Sequence, residues 1–316
     1  MDEGLETQAL QRSTLTEAIS AIRDGDLSQT LVSRLSDLSR ENVLTLARAW
    51  ETIPEGTRIE LVRKLDELSE ERVEFNFGRA LRVALDDPSA VVRQLAIAGL
   101  WEDESSEMLD RLRHILESDQ SADVRAQAAA SLERFSSNAA VGKLGDDIAS
   151  RLRDELRRSA IDVEAPYAVQ RRALEALGPY AADPEISGLI TESYDSGDHG
   201  LQCSAIYAMG RSLNARWLPT ILLELESEEP EIRFEAARAA GLLGSADAFP
   251  MLLEAARDQD AEVRHAAIGA IGQIGGRGAT RALERLAEDA GEADIELIES
   301  ALDDVNTLLE PIPHSS

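Results

Sequence analysis

The 316-residue sequence predicts an all-α fold, a right-handed α-solenoid of stacked antiparallel helix pairs. Three observations predict it. A nine-residue helical motif recurs six times, a second helical pattern fills the intervals, and no segment alternates with the two-residue period of a strand.

The motif copies are VRQLAIAGL from Val92, VRAQAAASL from Val124, VQRRALEAL from Val169, LQCSAIYAM from Leu201, IRFEAARAA from Ile232 and VRHAAIGAI from Val263. Their starts are 32, 45, 32, 31 and 31 residues apart. With the first residue as position zero, position four is always alanine: Ala96, Ala128, Ala173, Ala205, Ala236 and Ala267. Position seven is always small: Gly99, Ser131, Ala176, Ala208, Ala239 and Ala270. Position eight is large and apolar except at Ala240. At about 100° per residue, positions zero, four, seven and eight share one helix face. Small residues there let neighbouring backbones approach closely, so the face is expected to be a buried seam.

The second helical pattern is seen in MLDRLRHIL from Met108, WLPTILLEL from Trp217, FPMLLEAA from Phe249 and ATRALERLA from Ala279. Turn residues separate the helices at Asp86-Asp87-Pro88, Asp183-Pro184, Glu229-Pro230 and Gly275-Gly276. A single helix pair cannot bury its own apolar faces, so the pairs must stack. The array is expected over residues 71–290, and its long interval reads as a lengthened first helix over 136–161. Residues 1–70 are helical by periodicity but lack the motif, and are expected to form a divergent N-terminal cap. Residues 291–309, where acids interrupt the seam in ADIELIESALDDV, are expected to be a C-terminal capping helix. Residues 310–316, with two prolines, are expected to be a disordered tail.

Composition narrows the function classes. An apolar share of 43% supports a continuous core, and aromatics at 4% leave a chain dominated by helix formers. Sixty acidic against 32 basic residues give a net charge of −28, a field that repels nucleic acid and favours a basic partner. The acidic start Met1-Asp2-Glu3-Gly4 does not read as a secretory signal, and no apolar run is long enough for membrane insertion. With Cys203 as the one cysteine, no internal disulfide can form, and a cytoplasmic location is expected.

The pattern Val-Arg-x-x-Ala-x-x-Ala-Leu behind an Asp-containing turn resembles the HEAT-like repeats of the phycobilisome-lyase type, over about residues 75–290. That resemblance implies the solenoid fold. Its known uses include scaffolds, adaptors, chromophore lyases and one class of hydroxylase, so function must be argued from the site.

In such repeats the motif arginines form a structural ladder, which implies that role for Arg93, Arg125, Arg233 and Arg264. Asp87, Asp119 and Asp258 stand six residues before three of them, and Ser227 before Arg233. Arginine suits this role because its planar fork pairs with carboxylates in a bidentate way.

No catalytic or metal site is expected. The hydroxylase class needs His-Glu pairs, whereas His114, His199, His265 and His314 are followed by Ile115, Gly200, Ala266 and Ser315. Gly272–Gly278 lacks the Lys-Ser/Thr ending of a phosphate loop, and Asp195–His199 lacks the spacing of a calcium loop. Cys203 has no base beside it in sequence, and no cofactor is expected.

What remains is surface. Positions two, three and six of the motif helices are expected to point away from the seam. If those helices line the inner curve, as in the solenoids this chain resembles, they form a concave wall. Arg171, Arg172, Tyr207, Phe234, Arg238 and His265 gather there, and arginine and aromatic residues are the types enriched at binding hot spots. The expected function is a non-catalytic protein-interaction scaffold with a partner on that wall. The alternative is a lyase or chaperone-like helper for a chromophore or other small ligand, resembling bilin-lyase subunits.

Overall fold

The computed structural model describes residues 15–289 and 291–309, and all regular structure among them is helical. The chain divides into two compact units, residues 1–135 and 136–316. The first holds α1 (15–23), α2 (Gln29–Val32), α3 (Arg40–Trp50), α4 (Glu55–Glu71), α5 (Gly78–Ala84), α6 (Ala90–Gly99) and α7 (Ser106–Ser118). Helix α8 (Ala122–Ala140) begins in the first unit and ends just inside the second. The second unit continues with α9 (Asp146–Ile161), α10 (Tyr167–Ala176), α11 (Pro184–Tyr194), α12 (His199–Arg211) and α13 (Leu218–Glu224). It closes with α14 (Pro230–Leu243), α15 (Phe249–Ala255), α16 (Ala261–Ile274), α17 (Gly276–Asp289) and α18 (Glu292–Leu309). From α3 onward, odd-numbered helices are the first members of the pairs and even-numbered helices the second.

Local sequence sets the helix starts. Ser105, Asp183, Asp198 and Asp260 cap α7, α11, α12 and α16 by accepting from backbone N–H groups of the first turn. Pro184 and Pro230 occupy first-turn positions, where the missing N–H costs nothing. Gly244 ends α14 in the left-handed region at φ 67°, a conformation an L side chain would strain.

The seam is fully buried at its centre. All six position-four alanines have 0% exposure, and every position-eight residue from Leu100 to Ile271 is buried. Position five (Ile97, Ala129, Leu174, Ile206, Ala237 and Ile268) is buried as well, which widens the stripe beyond the expected one. Position five lies roughly 140° from position zero. Its burial fits the packing of α6, α10, α12, α14 and α16, each of which contacts its own first helix and an adjacent second helix.

In the second unit this lateral packing rests on glycine. Position nine is Gly178, Gly210, Gly241 and Gly272 in the last four motif copies. A methyl group at Gly210 would lie 2.6 Å from Cα of Ala239, and one at Gly241 would lie 2.8 Å from Cα of Ala270. Gly178 and Gly272 face Ala208 and Ala301 in the same way. Position nine of one copy therefore meets position seven of the next, and Ala301 places α18 in register as a further second helix. Gly210→Ala is expected to destabilise the second unit by roughly 1–3 kcal/mol, because helix backbones must move apart. Gly188→Ala, inside α11 with nothing within 4 Å of the new methyl, is expected to stabilise it by about 0.4–1 kcal/mol. Urea unfolding of both variants checks the opposite signs.

The ladder runs between repeats. Arg93 donates through Nη1 to the carbonyl of Asp87 at 2.8 Å and grips the carboxylate of Asp119, one repeat onward, at 2.9 and 2.7 Å. Arg233 likewise bonds the Ser227 carbonyl and the Asp258 carboxylate, and Arg264 the Asp258 carbonyl and the Asp294 carboxylate. Arg125 donates to the carbonyl of Asp119. Asp119 and Asp258 thus offer their carbonyls to their own repeat and their carboxylates to the preceding one. The bond from Arg233 holds the Asp258 carboxyl below its ordinary range, and that from Arg264 does the same for Asp294. At Asp119 burial pushes upward, but bonds from Arg93 and the Ser121 N–H outweigh it.

Residues 1–70 contribute a rung that sequence analysis missed. Arg58 of α4 grips Asp87 through Nε and Nη2 at 2.6 and 3.1 Å and donates to the Ile53 carbonyl at 2.6 Å. Trp50 Nε1 donates to the same carboxylate at 2.6 Å. Arg58 and Asp87 are both buried, at 6% and 2% exposure.

The single first helix expected over 136–161 is corrected. Residues 136–140 complete α8, the chain turns at Gly142 with φ 74°, and α9 starts only at Asp146. Two glycines, Gly142 and Gly145, break a pattern whose apolar periodicity alone looked continuous. The tail expected over 310–316 lies outside the described residues, as do the first 14 residues of the expected cap.

Candidate functional site

In the second unit α10, α12, α14 and α16 lie side by side. Their strip opposite the seam carries the six residues singled out in the sequence. Arg172 and His265 are exposed, while Arg171, Tyr207, Phe234 and Arg238 are half-buried.

The centre of the strip is an arginine held between two aromatic rings. The Arg238 guanidinium sits 4.9 Å from the ring centre of Tyr207 on α12 and 5.5 Å from that of Phe234 on its own helix. Its Nη1 also donates to both carboxylate oxygens of Glu235, at 3.1 and 3.0 Å. Burial pushes the Glu235 carboxyl above its ordinary range. Arg238 pulls against that shift, and nearby Glu175 adds to it.

A polar bridge joins α10 to α12. Arg171 Nε donates to Ser204 Oγ at 2.9 Å, Ser204 Oγ donates to Glu175 Oε1 at 2.8 Å, and Arg172 Nη1 donates to Glu175 Oε2 at 2.6 Å. The Arg171 guanidinium lies 5.9 Å from the Tyr167 ring, and the Tyr167 hydroxyl bonds the Asp198 carboxylate. His265 is less central. Its Nε2 is 3.0 Å from Asp294 Oδ1, beside the last rung of the ladder.

Part of the expected outward face is corrected. Glu175, Cys203 and Ser204 occupy positions six, two and three, yet all are buried. The reason is the lateral packing through position nine. Adjacent second helices close over the flanks of each other's outward face and leave a narrow strip. The angular reading considered one buried seam where each helix has two.

Sequence analysis also overlooked a neighbour of Cys203. His199 precedes it by four residues and shares its helix face, with Nε2 3.9 Å from the sulfur. His199 Nε2 is also 2.6 Å from Glu231 Oε2 on α14. Burial, then the charge of Glu235, pushes the Cys203 thiol up to about 11, which leaves it protonated and a poor nucleophile at neutral pH.

Among the described residues no helix is long and apolar enough to cross a membrane. A family model for HEAT repeats matches residues 78–165 and 218–303. Among solved structures, the complex of CpcE and CpcF of phycocyanin lyase from Nostoc sp. PCC7120 is 18% identical, with a TM-score of 0.52 over 85% of this chain and 95% of that one. Human deoxyhypusine hydroxylase is 16% identical, with a TM-score of 0.36 over 95% of this chain and 99% of that one. No curated protein matches in sequence. The recurring motif, the paired helices and a match spanning more than half of the residues agree: the chain belongs to the HEAT repeat family.

Proposed function

We propose that this chain is a non-catalytic scaffold or adaptor that holds a partner protein against the strip formed by α10, α12, α14 and α16. The contact residues are Arg171, Arg172, Tyr207, Phe234, Arg238 and His265. The observation that carries this reading is the stacking of Arg238 on Tyr207 and Phe234 at a surface that is still partly open. Arginine and aromatic side chains dominate binding hot spots, and a guanidinium already fixed between two rings and a carboxylate has little freedom left to lose on binding.

The net charge of −28 attracts a basic partner, speeds encounter at low salt and opposes nucleic acid. A cytoplasmic location suits a chain with one cysteine, held protonated. The second reading, a helper for a chromophore or small ligand, draws support from the fold shared with the phycocyanin lyase complex.

Photo-crosslinking tests the placement. A benzophenone side chain at position 234 is expected to yield one discrete protein adduct in living cells. The same group at position 223, on the exposed surface of α13, is expected to yield none. Equal labelling from both positions would count against the strip, and a bound bilin on the purified protein would favour the second reading.

A further inference from the structure

Three side chains next to this strip carry metal-ligand chemistry that the scaffold reading does not use. His199 and Cys203 stand one helical turn apart on α12, and Glu231 reaches toward them from the first turn of α14. One ligand atom from each falls within 4.8 Å of the other two. His199 and Glu231 are exposed and Cys203 is buried, so the group forms a shallow site with its sulfur at the floor.

We propose that His199, Cys203 and Glu231 form a Zn2+ site that staples α12 to α14. Zinc bonds to nitrogen, oxygen and sulfur run about 2.0–2.3 Å, which sets donors on a tetrahedron roughly 3.2–3.8 Å apart. The pair distances of 2.6 Å (His199–Glu231) and 3.9 Å (Cys203–His199) bracket that range. The third pair, Cys203–Glu231, lies within 4.8 Å, so closing the tetrahedron asks for rotation of the two exposed side chains.

The donor set also selects the ion. Magnesium and calcium take all-oxygen shells, whereas a mixed thiolate, imidazole and carboxylate set suits zinc and its neighbours. Binding replaces the thiol proton by the metal and releases that proton to solvent. Three protein ligands leave a fourth position facing outward, for water or for a donor supplied by a partner. Without metal, the same residues provide only the His199–Glu231 contact between repeats.

The probe is Co2+ added to tag-free, full-length protein. Cys203 is the chain's one cysteine, so a thiolate-to-cobalt charge-transfer band in the near ultraviolet reports this site alone. One equivalent of Co2+ is expected to saturate the band, and Zn2+ is expected to abolish it by displacement. Cys203→Ser should remove the band altogether. His199→Gln and Glu231→Gln, both at exposed positions, should weaken Co2+ binding at least about tenfold with unchanged helicity, since even indirect ligand contacts are worth that much. Cobalt bound without a thiolate band would overturn the proposal by assigning the metal to the acidic surface. A band that keeps full affinity in His199→Gln and Glu231→Gln would overturn it too. The test does not depend on the scaffold reading, because it needs no partner protein.

Discussion

Arg58→Ala is expected to cost the first unit about 3–5 kcal/mol of unfolding free energy, the loss that follows when one member of a buried ion pair is removed. Arg58 supplies two of the donors that satisfy the Asp87 carboxylate, whose side chain has no exposed surface. With it gone, Trp50 Nε1 and the Ser89 N–H remain as partners for a buried negative charge, and the Ile53 carbonyl loses its guanidinium donor. Most of the loss belongs to the orphaned charge, so neutralising that charge should restore stability. In Arg58→Met with Asp87→Asn the buried charge is gone, and the single amide oxygen keeps one of the two remaining donors, the Ser89 N–H at Oδ1 or Trp50 Nε1 at Oδ2. Part of the lost stability, at least about 1 kcal/mol, is expected to return. Urea unfolding followed by tryptophan fluorescence, to which Trp50 and Trp101 of the first unit contribute, measures both variants. A loss below about 1 kcal/mol for Arg58→Ala would show that the N-terminal rung contributes no more than an exposed pair does.

The same rung shows how far sequence reasoning reaches. The alanine seam was legible because position four tolerates no variation across six copies, and all six alanines are fully buried. Arg58 was not legible because Leu61 and Lys64 stand where the motif has alanine and a small residue, which hides the repeat in α4. The ladder's residue types were legible, but its connectivity was not. Sequence spacing pairs Asp87 with Arg93, whereas Arg93 takes only the carbonyl of Asp87 and leaves its carboxylate to Arg58. Partners drawn from adjacent repeats are set by stacking, which spacing within one repeat does not encode.

The candidate site follows the same division. Tyr207, Phe234 and Arg238 could be placed on one strip from helical angles alone, but the stacking of Arg238 on Tyr207 joins two repeats. Glu175, Ser204 and Cys203 were misplaced because the position-nine glycines that close the lateral contact lie one residue beyond the motif as first aligned. His199 and Cys203 carry a local signal, their four-residue spacing, and Glu231 joins them only through the packing of α14 on α12.

Simultaneous replacement of Tyr207 and Phe234 by alanine addresses the proposed recognition strip itself. Both rings flank Arg238, so their removal takes away two apolar contacts and releases the guanidinium they position. Hot-spot side chains are each worth about 2 kcal/mol or more, and contributions from neighbours need not add. The dissociation constant of the crosslinked partner, measured by calorimetry at fixed salt with wild-type and doubly substituted protein, is the decisive quantity. A weakening of about 100-fold or more, with unchanged helicity and thermal midpoint, is the expected result. An unchanged constant in a folded double variant would contradict the assignment of recognition to this strip.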